Sequence, residues 1–258
     1  MYRAFEFSRF DYPEGSRDKG LKINEANAKK VRDSLGRFVA SGEINGSQLR
    51  DHWFPEIKAN IFISHSHDDE GLALDLAGWL SNSFGLTSFI DSCVWGHADE
   101  LLRQIDNKLC LNKNEQTYDY EKRNGTTSHV HMMLATALSR MIDSTECVIF
   151  VSSPSSVKAE EAISKVYSPW IYYELAMMEV IRKRDPLEHR PIIKEASEGG
   201  IRNYSKPIQI FYEADFKSLT SINLDTLKSW LKRWESDKLR RKHPLDSLYA
   251  VAPHQQII

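Results

Sequence analysis

Apolar residues along the chain alternate between short unbroken runs and stretches with a helical period, the pattern of buried parallel strands joined by helices. The first run lies within Ile57 to Ser64, centred on Ile61, Phe62 and Ile63, and predicts a strand. A polar turn follows, Ser64-His65-Ser66-His67-Asp68-Asp69, and then a helix from about Glu70 to Phe84 with Leu72, Leu76 and Leu80 every fourth position. Asp68 or Asp69 is suited to cap that helix and Gly85 to end it. Thr87 to Asp91 predicts a second strand, which completes a β-α-β unit and implies a right-handed crossover. Cys147-Val148-Ile149-Phe150-Val151 is the strongest buried-strand signal, and Pro207 to Tyr212 predicts a fourth strand. Strands interleaved with helices give an α/β fold, a doubly wound parallel sheet whose ligands sit beyond the carboxyl ends of the strands.

Three stretches fall outside this frame. Residues 1–56 are polar and mixed in charge, with helical spacing around Ala26 to Ala40 and near Gln48 to Phe54, and predict a mostly helical N-terminal extension. Within a domain spanning 57–220, the pattern weakens at about 93–130: a helix from Ala98 to Leu109 leads into a polar region containing Tyr118, Tyr120 and Arg123. A structureless insertion of that length is uncommon unless functional, and its position after the second strand predicts a loop over the substrate site. Residues 221–258 are expected to form a C-terminal helix, about Asn223 to Arg241, and a tail.

Composition narrows the function classes. The 258 residues are 41% hydrophobic and 27% charged, with a formal net charge of -2, so no global charge calls for nucleic acid. Lys228, Lys232, Arg233, Lys238, Arg240, Arg241 and Lys242 make the last helix basic, but Glu235 and Asp237 intervene, as on a solvated outer face. Cys93, Cys110 and Cys147 are not paired as a disulfide framework or cysteine zinc site would require, which fits a reducing compartment. No run approaches the roughly 20 apolar residues of a membrane span, and Met1 to Phe7 lacks a secretion signal, so a soluble cytoplasmic protein is expected.

The chemistry concentrates at Ser168-Pro169-Trp170-Ile171-Tyr172-Tyr173-Glu174-Leu175. Pro169 suits a first helical position, and the spacing places Trp170 and Glu174 one turn apart on one face. An indole beside a carboxylate suits an electron-poor ring attached to a sugar. The strand ending Phe62-Ile63-Ser64-His65-Ser66, the strand ending Phe89-Ile90-Asp91, the strand Val148 to Ser152 and the Trp170/Glu174 helix, in that order, resemble a Toll/interleukin-1 receptor (TIR) domain of the bacterial, enzymatic kind, whose sheet is flavodoxin-like. The resemblance covers about residues 57–215.

The resemblance implies cleavage of the nicotinamide–ribose bond of NAD, with Glu174 catalytic, and an ADP-ribose, cyclic or transferred product. It further implies assembly through TIR–TIR contacts and a place in antiphage defence of the Thoeris type, where the product acts on a separate effector. NAD is then a substrate, and no resident cofactor or metal is expected. The chain departs from the family in its long 93–130 stretch and in Ile171, where the family often has Cys. From the residues themselves, Trp170 is expected to pack against the departing ring, and Ser64, His65 and Ser66 to meet the nicotinamide amide or a phosphate. Asp91 closes the second strand at the same edge, as a substrate contact or as a cap of the next segment.

Two other readings compete. His65-Ser66-His67-Asp68-Asp69, with His129 and His131, approximates the start of a zinc hydrolase motif, but Glu70 stands where that pattern requires His. A non-enzymatic TIR adaptor would bind other TIR domains and would have no use for Glu174.

Overall fold

The computed structural model describes residues 1–7, 16–28, 45–113, 116–153, 158–160, 163–166, 168–190, 212–213, 216, 219–237 and 243–253, with the backbone alone at 93–97, 158–160, 163–165 and 212–213. The elements in order are β1 (Arg3–Phe7), α1 (Arg17–Ala28), α2 (Gly46–Trp53), β2 (Ile61–His65), α3 (Glu70–Phe84), β3 (Ser88–Ile90) and α4 (Ser92–Ile105). After a wider helical turn at Asp106–Cys110 come α5 (Tyr120–Ser144), β4 (Cys147–Val151), β5 (Lys158–Glu160), β6 (Ile163–Val166) and α6 (Pro169–Val180). The chain closes with β7 (Tyr212–Glu213), β8 (Thr220–Ile222), α7 (Leu224–Ser236) and α8 (Pro244–Val251).

The unbroken apolar runs become the middle of a five-stranded parallel sheet in the order β3-β2-β4-β1-β8. Ile61, Phe62, Ile63, Val148, Ile149 and Phe150 are all fully buried, as strands covered on both faces require. The chain leaves β2 toward β3 on one side and later returns to lay β4 on the other, so the crossover direction reverses between β2 and β4. The carboxyl ends of those strands, His65 and Val151, are paired in register at that point. This is the edge where doubly wound sheets hold their ligands.

Strands from outside the stretch 57–219 also join the sheet, β1 near the start of the chain and β8 at Thr220–Ile222. β1 lies inside it between β4 and β8, with Phe5 and Phe7 in the core. Arg3 is tolerated in this buried strand because its guanidinium donates to the Ala252 carbonyl at 2.6 Å and the Thr220 hydroxyl at 2.9 Å, and lies over the Phe5 ring. α7 forms where a C-terminal helix was expected and packs into the core: Trp230 is fully buried, stacks on Phe84 with centroids 4.1 Å apart, and donates from its indole to the Pro244 carbonyl at the start of α8. The expected strand at Pro207 to Tyr212 lies outside the described residues except Tyr212, which pairs antiparallel with Val166 in a separate three-stranded sheet, β5-β6-β7.

α1 packs on α3 backbone to backbone. A methyl group added at Gly20 would come within 1.9 Å of the Leu74 carbonyl oxygen, and one at Gly78 within 1.9 Å of that of Ser16. The small residues are therefore what permits this separation. Arg17 adds two hydrogen bonds to Asp75, at 2.8 and 2.5 Å, but the pair is exposed and contributes at most about 1 kcal/mol.

Most of the 93–130 stretch is helical, with a short turn between the helices at about 111–119. α4 begins directly after β3, and the return helix α5, 25 residues long, measures about 37 Å against about 17 Å for a five-residue strand such as β4. Because the last turns of α5 deliver the chain to the start of β4, the first half of α5 projects past the carboxyl edge of the sheet. Its sequence is polar for that reason: Tyr120 to Arg123 are exposed, whereas Val130, Leu134, Leu138, Met141 and Ile142 are buried. Tyr118 and Arg123, expected within a loop over the substrate site, pair with neighbours at the distal turn of this hairpin. Arg123 pairs with Asp106 at 2.8 Å and lies over the Tyr118 ring, whose hydroxyl donates to Asn107. Among the described residues no helix is long and apolar enough to cross a membrane.

Candidate functional site

Three elements deliver carboxyl and hydroxyl groups to the carboxyl edge of β2 and β3. α6 starts there because Ser168 caps it, accepting from the Ile171 amide at 3.3 Å, and Pro169 occupies its first turn. The second turn then sets Glu174 beneath the end of β2, with no part of its side chain exposed. The Ser64 hydroxyl, also fully buried, donates to Glu174 Oε2 at 2.6 Å, so a hydroxyl and a carboxylate 110 residues apart form the centre of the site.

His65 and Asp91 stand behind them. The His65 backbone N–H donates to Asp91 Oδ2 at 3.3 Å, and its ring Nε2 lies 3.1 Å from Asp91 Oδ1. Its Nδ1 is 2.5 Å from the Ser66 carbonyl, which only accepts, and so Nδ1 carries the proton. Burial lowers the imidazole to about 4, leaving it neutral near pH 7. Burial also raises Asp91 well above the usual carboxylate range, reinforced by the neighbouring Glu174 charge. Glu174 rises from 4.5 to about 7, chiefly by burial, while hydrogen bonds from Ser64 and Asp91 hold it down. Burial thus opposes charge at all three groups.

The residues expected from sequence thus divide. Ser64, His65, Asp91 and Glu174 come together in one buried cluster. Ser66 turns aside to donate to Asp69 Oδ2 at 2.5 Å, so it does not face Glu174. Trp170 lies one turn before Glu174, half-buried, and its indole meets the His131 ring edge-on with centroids 5.5 Å apart. The His65 ring nitrogens face the Ser66 carbonyl and Asp91. Asp91 is likewise fully buried.

Two residues gain a place that their sequence positions did not indicate. Asp69 sits at the start of α3 without making a side-chain cap and instead gathers Ser66 and Ser153, the latter at 2.7 Å, across the crossover point between β2 and β4. His131, weighed above as a zinc ligand, belongs to the Trp170 contact. Among the described residues no three of His, Cys, Asp or Glu converge on a position for a metal ion.

The clefts beside α2 lie elsewhere. The larger, about 330 Å³, is lined by Asn45, Arg50, His129 and Met132 among others, and the second by Arg50, Asp51 and Arg140 among others. Neither reaches Glu174. The Glu174 side chain is itself fully buried. Comparison of the chain with family models, with curated proteins and with solved structures finds no match in any of the three.

Proposed function

We propose that the chain cleaves the nicotinamide–ribose bond of NAD, with Glu174 stabilising the ribosyl cation. The observation that carries this reading is the Ser64–Glu174 hydrogen bond at 2.6 Å at the carboxyl edge of a doubly wound sheet. It sets a buried carboxylate, ionising near 7, at the place where such sheets bind nucleotides. Nicotinamide in NAD is already cationic, so the C–N bond breaks with its electron pair going to the ring nitrogen and no acid is needed to release it. A single anion opposite the developing charge suffices, in contrast to the paired carboxylates of ordinary glycosidases. Water or another nucleophile then captures the ribosyl carbon, giving ADP-ribose, its cyclic isomer or a transfer product. The TIR resemblance adds a cytoplasmic setting, self-assembly and a nucleotide signal to a separate effector in antiphage defence.

The test is incubation of the purified chain with NAD, with nicotinamide and the ADP-ribose products followed by mass spectrometry. Because Glu174 works as the anion, the rate should rise with pH through about 7 and level off above it. Ser64→Ala removes a hydrogen bond that holds Glu174 down. A bond to a charged group contributes about 1.5 to 3 kcal/mol, so the acid limb should move up by roughly one to two pH units, with turnover recovered at higher pH. An unmoved limb would separate Ser64 from the ionisation of Glu174.

The adaptor reading draws on the closure of the same carboxylate, since a fully covered Glu174 serves the architecture alone. It predicts assembly in solution with no nicotinamide released at any pH.

A further inference from the structure

We propose that Asp91 is a positioning residue of this site, holding a proton between the His65 imidazole and the Glu174 carboxyl so that Glu174 alone carries the cluster's charge. This rests on the NAD-cleaving reading for its kinetic consequence, and on geometry for the rest. Asp91 is anchored at one oxygen by the His65 backbone N–H at 3.3 Å and at the other faces His65 Nε2 at 3.1 Å. That nitrogen is the acceptor end of the ring, because the Ser66 carbonyl claims the Nδ1 proton. Asp91, His65 and Glu174 are all fully buried, and two adjacent carboxylates cannot both ionise there without a compensating cation.

Among the described residues no cation faces Asp91 or Glu174. From the turn after β2 the charges of Asp69 and His67 act on His65 at longer range; from α6 comes Glu174; from the start of α4 the Ser92 amide donates to Asp91, and the Ser92 hydroxyl donates to Glu70 at 3.3 Å. A single proton on Asp91, within reach of both Nε2 and Glu174, resolves the repulsion. The raised ionisation of Asp91 agrees with this arrangement. Asp91 therefore acts on NAD only through Glu174, which distinguishes it from a substrate contact.

The experiment uses the full chain and two variants, with nicotinamide release measured against pH and substrate. Asp91→Ala deletes the group that donates to Glu174, and turnover should fall at least ~10-fold with the acid limb displaced upward. Asp91→Asn replaces a neutral acid by a neutral amide of the same shape, and should recover most of that loss with the limb close to its parental position. If Asp91 were instead an ionised substrate contact, Asn would be as impaired as Ala and would raise KM, and removal of the neighbouring negative charge would shift the limb downward. Either result overturns the proposal.

Infrared spectra supply a readout that does not depend on activity. Above the midpoint of Glu174, the parent should retain a protonated-carboxyl stretching band that disappears in Asp91→Asn. Absence of that band in the parent, or its persistence in the variant, overturns the proton assignment. A parent that shows the band but releases no nicotinamide refutes the NAD-cleaving reading and leaves the proton assignment standing.

Discussion

Glu174→Gln is expected to cut nicotinamide release by at least ~10²-fold while the protein stays folded, because the isosteric amide keeps the shape and removes the charge that opposes the ribosyl cation. Stability gives the variant a second signature. Between 4.5 and about 7 the native state holds a proton on Glu174 that the unfolded chain has released, so the contribution of this group to stability falls as pH rises through that window. Above about 7 the full penalty stands, roughly 3 kcal/mol for a shift of this size. Gln carries no such penalty. The melting temperature of the variant should therefore equal or exceed that of the parent at alkaline pH, and the two should approach each other below about 4.5. Full turnover in the variant would remove Glu174 from the mechanism; a lower melting temperature across the whole pH range would assign it to the architecture.

The largest loss of stability is expected at Gly78→Ala. The added methyl would lie 1.9 Å from the Ser16 carbonyl oxygen and 2.7 Å from its carbon, both backbone atoms that no side-chain rotation can clear. α1 must retreat from α3, and overpacking of this kind costs about 3 kcal/mol. In a protein of this size that corresponds to a fall in melting temperature of roughly 6 to 12 °C. Gly20→Ala meets the Leu74 backbone across the same interface, so the double variant should lose less than the sum of the singles, since one retreat of α1 relieves both. Additive losses would show that the two contacts are independent.

The middle of the sheet could be read from the chain because its signals are local. Ile61 to Ile63 and Cys147 to Val151 are unbroken apolar runs, Gly85 ends α3 in the left-handed conformation at φ 67°, and Ser168-Pro169 opens α6 as its residue types suggest. β1 could not be read, since Arg3 and Glu6 interrupt its pattern and the partners that accommodate Arg3 lie 217 and 249 residues away. The first turns of α5 escaped notice for the opposite reason: residues 120–129 bury no side chain that could impose a period, and the helix is initiated by Asp119 capping the Lys122 amide. At the site, Glu174 and Ser64 stood out as residue types at strand and helix ends. The pairing of Asp91 with Glu174 did not, because it arises from the adjacency of β2 and β3 over the first turns of α6, and nothing in the separation of 91 and 174 along the chain encodes it.

The interior place of β1 sets the order of events at birth. Its neighbours are β4, whose first residue is Cys147, and β8, which begins at Thr220. At a synthesis rate of about 5 to 20 residues per second, β1 waits roughly 10 to 40 s between its own appearance and that of β8. Throughout that interval Phe5 and Phe7 have no complete sheet to enter. β2, α3 and β3, adjacent in sequence, are expected to assemble first, while the nascent amino-terminal strand remains a client for chaperones until the last strand leaves the ribosome.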